Sequence, residues 1–306
     1  MTNKKPQLHL LDKKLIRQSF DAAADHYDDV AGLQREIGKR LIERLELIKF
    51  TPQTILDVGA GTGFISRGLD KFYKKSRVLS MDIAPRMLQV ARSKSGWLNN
   101  SWINKCFGNQ AYIRGDAEFL PFADNSVDLI ISNLTLQWCG ELERTFAEFK
   151  RVLKPEGLLM FSSFGPDTLK ELRESWRVAD TNTDSNQESM HVNDFIDMHD
   201  MGDALLRAGL SDPVMDVDNI TLTYSDVYQL MRELKALGAH NVANARRHSL
   251  TGKTRLKNMV SAYENYRNDG LLPATYEVVY GHAWGVSDSQ SFEVTLSSLT
   301  DTGILP

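Results

Sequence analysis

Three glycines, Gly59, Gly61 and Gly63, form the stretch whose residue types and spacing most directly suggest chemistry. They follow the apolar run TILDV and precede a segment with helical spacing. Glycine at such a turn permits positive φ and lets the backbone approach a ligand beside the N-terminus of a helix. A dinucleotide-binding turn would also need glycine at position 64, which is Phe64. The spacing favours a ligand-binding turn of another type over a purely structural turn.

Acidic residues follow the neighbouring apolar runs. Asp82 ends RVLSMD, about twenty residues after the turn, where a carboxylate can accept both ribose hydroxyls. Asp116 follows AYIRG, where it could accept from an adenine amine. Each acid alone is as consistent with helix capping. Together they lie where open α/β sheets bind ligands, and GAGTG preceded by Asp57 resembles the turn of class I methyltransferases that bind S-adenosylmethionine.

The stretch SNLTLQW carries a second group of polar and aromatic residues. Asn133 falls just past the run VDLII, beside the glycine turn in the usual strand order, and could contact the methionine end of the cofactor. A helix-capping Asn133 is the alternative. Gln137 and Trp138 could wall a methyl-transfer pocket, and for Trp138 a place in the core is the competing interpretation.

Alternating elements must position these residues. Apolar runs with strand character occur at TILDV, RVLSMD, AYIRGD, SVDLIIS and GLLMFSSF, and later at VMDVDNITLTY and TYEVVYGHAW. Segments with helical spacing separate them, which predicts a mostly parallel sheet with helices on both faces. We therefore expect an α/β, Rossmann-like class I methyltransferase fold with a seven-stranded sheet.

The same pattern predicts four parts of the chain. Residues 1–50 form an N-terminal helical lid, with helices at 12–27 and 33–49, and residues 51–165 form the cofactor-binding core. Residues 166–285 complete the fold with substrate-binding insertions, including a largely helical stretch from residue 191. Residues 286–306 form a polar tail.

Composition excludes several functional classes. The chain has 306 residues, a net charge of −4 and two cysteines, Cys106 and Cys139. Two cysteines are too few for a disulfide framework or a thiolate zinc site. No stretch approaches the roughly 18 apolar residues of a membrane span, and the N-terminus lacks a secretory pattern. We expect a cytoplasmic protein without a metal, a nucleic-acid partner or a membrane partner.

Longer motifs give a more specific resemblance. LDVGAGTG, MDIAPRML, GDAEFLPF, SNLTLQW, RVLKPEG and the pattern FxxAAxxYD at residues 20–28, with DTLKELRESW and LKALGAHN downstream, are similar to the malonyl-[acyl-carrier protein] O-methyltransferases of biotin synthesis. Ala60 and Glu156 depart from the family, standing where many members have Cys and Gly. The segment from Lys94 to Gln110 also looks longer than the connection in many members.

The resemblance implies methylation of the free carboxylate of a malonyl thioester, on a carrier protein or coenzyme A, with S-adenosylmethionine as methyl donor and S-adenosylhomocysteine as product. No catalytic acid or base is expected, because a carboxylate is already ionised at neutral pH. Tyr27 would close over the cofactor and position substrate. The remaining cofactor contacts would come from Asp57, Gly59, Ala60, Gly61, Gly63, Asp82, Ile83, Asp116, Ala117 and Asn133.

Substrate positioning is assigned to Arg173 and His191 together with Tyr27, Gln137 and Trp138. An arginine can hold a carboxylate through two hydrogen bonds, although Arg173 could equally be a solvated charge on a helix. His191 could donate to the acyl group or be a surface histidine.

One basic stretch suggests a protein partner. Residues 241–262 contain Arg246, Arg247, Lys253, Arg255 and Lys257 and no acidic residue. Acyl carrier proteins are acidic, so such a face would raise their association rate. A solvated loop or an RNA-binding patch is the alternative.

Two rival functions remain open. One is a small-molecule carboxyl or quinone methyltransferase. The other is an arginine hydroxylase of the complex I assembly type on the same fold.

Overall fold

A seven-stranded sheet organises the computed structural model, which describes residues 11–95, 110–181, 191–239 and 252–286. The strands are β1 (Thr54–Val58), β2 (Arg77–Asp82), β3 (Gln110–Arg114), β4 (Val127–Asn133), β5 (Leu153–Phe164), β6 (Leu210–Tyr224) and β7 (Leu272–Gly285). Their order is β3-β2-β1-β4-β5-β7-β6. β7 runs antiparallel to both β5 and β6, and the other pairs are parallel. The predicted α/β class and seven-stranded sheet are confirmed.

Helices cover both faces of this sheet. They are α1 (Lys13–Ala23), α2 (Tyr27–Val30), α3 (Gly32–Glu46), α4 (Phe64–Phe72), α5 (Pro85–Lys94), α6 (Leu142–Val152), α7 (Lys170–Thr181), α8 (Met198–Arg207), α9 (Val227–Ala236) and α10 (Lys253–Glu264). Alternation along β4 shows the two-faced burial: Leu129 and Ile131 pack into one core cluster and Ile130 into the other. Helices are needed on both sides because every one of these side chains is fully buried.

The first predicted helix is shorter than its pattern indicated. α1 ends at Ala23, and a turn closed by the His26 N–H donating to the Ala23 carbonyl separates it from α2, which begins at Tyr27. Ala24 is buried against Ala84 and Met87, with Tyr27 packed against the same cluster. Because the helix is interrupted here, Tyr27 does not extend α1 and instead packs beside Ala84 and Met87.

Two other expectations need correction. Residues 191–197 are not helical, and α8 begins only at Met198, where the Asp197 carboxylate caps the helix by accepting from the His199 N–H at 2.8 Å. β5 begins earlier than predicted and carries an irregularity in its pairing with β4. Glu156 lies in that irregular part with φ of +60°, a conformation that glycine adopts at little cost.

Candidate active site

A cavity of about 930 Å³ lies at the carboxyl ends of β1, β2 and β4. α1 and α9 roof it: Ser19 and Phe20 from α1 and Met231 and Leu234 from α9 lie on its wall. The turn after α9 meets α1 directly, because a Cβ on Gly238 would lie 3.0 Å from the Ser19 carbonyl oxygen. The cavity therefore lies at the strand ends where α/β folds bind ligands, beneath α1, which belongs to the segment predicted as a helical lid.

The glycine turn shapes one wall of this cavity. Gly59, Gly61 and Gly63 all have positive φ, at +74°, +52° and +79°. A Cβ on Gly59 would lie 1.9 Å from Thr135 Oγ1, so packing against the β4 turn requires glycine there. A Cβ on Gly61 would meet no atom within 4 Å, since that side of the turn is open. Gly61 thus leaves room where a ligand could contact the backbone.

Asp82 holds the turn in place while facing the cavity. One carboxylate oxygen accepts from the Gly61 N–H at 2.8 Å and the other from the Ala84 N–H at 2.8 Å. Burial raises its pKa to about 6, against the lowering effect of these backbone donors. Each oxygen keeps a further acceptor site, so the carboxylate can receive a pair of hydroxyl donors.

Asp57 lies behind the turn and is not on the cavity wall. It is 1% exposed, and its carboxylate accepts from the Ser66 hydroxyl, which in turn accepts from Ser80 at 2.7 Å. Burial raises the Asp57 pKa to about 7, although the Ser66 hydrogen bond opposes the shift. Because the side chain bonds α4 to β1, its position supports a role in holding the turn rather than the predicted direct contact with cofactor.

Asp116 lies on the cavity wall, where it forms an ion pair with a residue of α1. Lys13 of α1 donates to Asp116 Oδ1 at 2.9 Å and lies 3.0 Å from Glu118 Oε1. The Glu118 N–H donates to the same Asp116 oxygen at 3.1 Å. The predicted adenine contact would therefore share Asp116 with a lysine that the sequence pattern did not single out.

Asn133 connects the sheet to the lid region. Its amide nitrogen donates to the Gln34 carbonyl at 3.1 Å, and its amide oxygen accepts from the Ser162 hydroxyl at 2.8 Å. The residue lines the cavity and caps no helix, because the 3₁₀ turn Leu136–Trp138 follows Thr135. The capping alternative for Asn133 is thus wrong.

Gln137 and Trp138 also lie on the wall, in that 3₁₀ turn. Trp138 is partly exposed and packs edge-on against Phe20 of α1, with ring centroids 5.3 Å apart. Gln137 Oε1 accepts from the Ser163 hydroxyl at 3.4 Å. Trp138 is thus a contact between the sheet edge and the lid rather than a residue of the core.

Tyr27 reaches the cavity from the start of α2. Burial, together with the nearby carboxylates of Asp82 and Asp28, raises the pKa of its hydroxyl above the ordinary value of 10. The phenol is therefore neutral at physiological pH. A neutral hydroxyl on an apolar ring can donate to an anion without adding a charge.

Arg173 does not reach the cavity wall. Its guanidinium donates to the carbonyls of Pro166 and Thr168, at 2.8 and 2.9 Å, just before α7. Arg173 is half-buried, and these two bonds commit one N–H of each terminal nitrogen to the chain's own backbone, while the buried Nε has no hydrogen-bond partner among the described residues. The structure does not bring Arg173 together with the other predicted substrate residues.

His191 lines the part of the cavity away from the glycine turn. Its ring stacks on Trp176 at 4.0 Å, and Nε2 lies 3.1 Å from Asp180 Oδ2. Desolvation lowers the His191 pKa although Asp180 opposes this. A neutral ring that donates through Nε2 keeps Nδ1 as an acceptor, which is the reverse of the predicted donor.

The cations of the predicted docking stretch differ in their exposure to solvent. Arg246 and Arg247 lie outside the described residues. Lys253 and Lys257 are exposed on α10, whereas Arg255 is 4% exposed and its Nε lies 3.2 Å from Asp180 Oδ1. The docking role predicted for Arg255 is wrong, because a buried ion-paired side chain cannot meet a partner.

The cavity thus collects most of the predicted residues. Tyr27, Gly59, Gly61, Asp82, Ile83, Asp116, Ala117, Asn133, Gln137, Trp138 and His191 lie on its wall, and Asp57, Ala60, Gly63 and Arg173 do not. The wall also holds Phe164, Phe195 and Tyr276, which sequence reasoning missed.

In the described part of the chain, no group of His, Cys, Asp or Glu side chains could hold a metal ion. No helix in those same ranges is both long and apolar enough to cross a membrane.

Comparisons with known proteins decide the family. Residues 56–161 match the sequence model of a methyltransferase domain family. A malonyl-[acyl-carrier protein] O-methyltransferase from Gallionella capsiferriformans is 50% identical over 277 residues, covering 90% of this chain and 91% of that protein. One of the same name from Methylovorus is 50% identical over 280 residues, covering 90% of each. The chain belongs to the malonyl-[acyl-carrier protein] O-methyltransferase family.

Solved structures agree on the fold of this O-methyltransferase. The YcgJ protein from Bacillus subtilis superimposes with a TM-score of 0.54 at 15% identity, covering 81% of this chain and 98% of that one. Phosphoethanolamine N-methyltransferase 2 from Haemonchus contortus, in complex with S-adenosyl-L-methionine, gives 0.53 at 18%, covering 89% and 60%. The protein is a member of the class I S-adenosylmethionine-dependent methyltransferase superfamily.

Proposed function

We propose that this protein methylates the free carboxylate of malonyl-acyl carrier protein to its methyl ester, an early step of biotin synthesis. Over nine-tenths of the chain, half of the residues are identical to those of relatives with that name, and this observation carries the proposal. Malonyl-coenzyme A, which presents the same malonyl thioester, is the alternative acceptor.

The residues on the cavity wall fit S-adenosylmethionine. The open side of Gly61 leaves space at the backbone, and Asp82 beside it offers acceptors for a ribose diol. Asp116, Ile83 and the backbone near Ala117 would hold the adenine, and Asn133 would hold the amino-acid end, since all four residues line the cavity. The bound cofactor supplies a methyl group on a sulfonium, whose sulfur leaves with the electrons of its carbon–sulfur bond as a carboxylate oxygen bonds to the methyl.

The chain's own residues then position and desolvate the carboxylate. No base is required, because a carboxylate is ionised near neutral pH. Aligning the two reactants can lower the barrier by roughly 7–11 kcal/mol. Since opposite charges are neutralised in the reaction, a largely apolar wall favours it over water. Phe20 and Trp138 exclude water, and the neutral hydroxyl of Tyr27 donates to the carboxylate.

The far half of the cavity suits an acyl arm. Phe164 packs against both Phe195 and Tyr276 with ring centroids 5.7 Å apart, and all three line the cavity. Trp176 and the stacked His191 continue this wall. An apolar passage with few polar groups is the usual form of a small-molecule site. The thioester arm would lie here, with its carboxylate toward Gln137 and Tyr27.

Product mass tests the proposal. The purified protein should add one methylene to malonyl-carrier protein in the presence of S-adenosylmethionine. A gain of one oxygen would indicate the hydroxylase alternative. Rapid methylation of a small carboxylic acid or a quinone, with the malonyl thioester left unchanged, would favour those rival substrates and refute the proposal.

A further inference from the structure

The exposed residues of the cavity wall show where the cavity opens. Most wall residues are buried or half-buried, and four are exposed: Ala22 near the end of α1, His26 in the turn after α1, and Arg232 and Lys235 on α9. All four lie on α9 or on α1 and the turn that follows it. The cavity therefore meets solvent between these two segments, which we call the mouth.

The two sides of the mouth differ in charge. On the α1 side, Asp25 is engaged by Arg86, whose guanidinium donates to it at 2.9 Å. On the α9 side, Arg232 and Lys235 lie one helical turn apart and are both exposed. Neither makes an ion pair or side-chain hydrogen bond with any residue in the described ranges. The intervening Glu233 is half-buried on the cavity wall, and its carboxylate accepts from the Tyr224 hydroxyl at 3.2 Å.

We propose that Arg232 and Lys235 form the docking face for the acidic carrier protein, so that the carrier sits on α9 while its arm enters the mouth. This rests on the proposed function. A thioester tethered to a carrier can reach the cavity only if the carrier sits at the mouth, and the two exposed cations there match an acidic surface. Lys253 and Lys257, by contrast, are exposed but do not line the cavity.

Binding of malonyl-carrier protein to charge-reversal variants tests this directly. Arg232→Glu/Lys235→Glu should weaken binding at least about tenfold near 0.05 M salt, with the difference shrinking near 0.5 M salt. Lys71→Glu/Lys75→Glu is the matched control, because it makes the same charge change. α4 starts at the glycine turn, beside the carboxyl end of β1, and ends before β2 begins. Lys71 and Lys75 therefore lie near the amino ends of the strands, on the side of the sheet opposite the cavity.

Turnover separates the docking face from the chemistry. The α9 variant should keep kcat/KM for malonyl-pantetheine within about twofold of wild type, since that substrate brings neither a carrier surface nor a phosphate. Equal loss with malonyl-pantetheine would mean that the cations act on the arm rather than on the carrier surface, and the docking proposal would be wrong. Loss of carrier binding in a Lys253→Glu/Lys257→Glu variant alone would also overturn it. Wild-type binding of the carrier without methylation would instead count against the proposed function.

Discussion

Two buried carboxylates illustrate how single residues in this site combine structure with ligand binding. Asp82 and Asp57 both lie at strand ends and both have raised pKa values, yet only Asp82 faces the cavity. From the sequence, both acids were predicted to contact the cofactor. Only the packing of Ser66 against Asp57 distinguishes the residue that holds the turn from the residue that can reach a ligand.

Removing the Asp82 carboxylate should weaken cofactor binding. Asp82→Ala loses charge-assisted hydrogen bonds of roughly 1.5–3 kcal/mol, so the Kd for S-adenosylmethionine should rise by about 10- to 100-fold in a titration. Asp82→Asn keeps an acceptor for the Gly61 N–H and should lose less. Affinity of the alanine variant within a factor of two of wild type would refute the ribose role.

Asp57 should make stability depend on pH. Its pKa is raised from 3.8 to about 7, so the folded state holds a proton that the unfolded state has released between these values. The stabilisation is complete below about pH 4 and is lost as the pH rises through 7, at up to about 1.4 kcal/mol per pH unit. Asp57→Asn should flatten the pH dependence in urea unfolding. An unchanged slope would contradict the assignment.

At the scale of elements, strand runs were predicted well and helix faces poorly. The short strands β1 and β2 have the bounds that their sequences indicate, because both sheet faces are covered and consecutive residues of each strand are buried. Arg173 and Arg255 were misjudged, since charge alone does not show which helix face packs inward. Arg255 did carry a signal: Arg255, Met259 and Tyr263 recur at spacing four, and all three are buried.

The lid should depend on the contact between Phe20 and Trp138. Phe20→Ala removes an aromatic pair worth about 0.5–1.5 kcal/mol, so the KM for S-adenosylmethionine should rise by up to about tenfold. Phe20→Tyr keeps the ring and should stay near wild type. If both variants resemble wild type, α1 does not close over the cofactor through this contact.

The irregular part of β5 should carry a removable strain. Exposed Glu156 has φ of +60°, which costs a residue with a Cβ about 1–2 kcal/mol. Glu156→Gly should therefore raise the free energy of unfolding by about 1 kcal/mol in urea titrations. Glu156→Ala controls for loss of charge, because alanine keeps the strain. An equal gain from alanine would assign the effect to the charge instead.

At the scale of the whole molecule, the cavity joins two regions that the sequence presents separately. The ends of β1, β2 and β4 and the turns after them form one wall, and residues 164–176, residues 191–195 and α9 form the other. The first wall could be predicted because its glycines and acids recur at strand ends. The second depends on how α7, α9 and β7 pack, which no local pattern reveals. The mouth between α1 and α9 likewise emerges only from the folded chain.

The position of the transferred methyl tests the central claim most directly. Malonyl-carrier protein should be incubated with the enzyme and S-adenosylmethionine labelled with ¹³C in its methyl group, and the product examined by ¹³C NMR. We predict a single labelled resonance in the region of carboxylic methyl esters, absent when malonyl-carrier protein is replaced by carrier protein with a free thiol. A labelled methyl on carbon, nitrogen or sulfur, or no labelled carrier protein at all, would contradict carboxyl O-methylation.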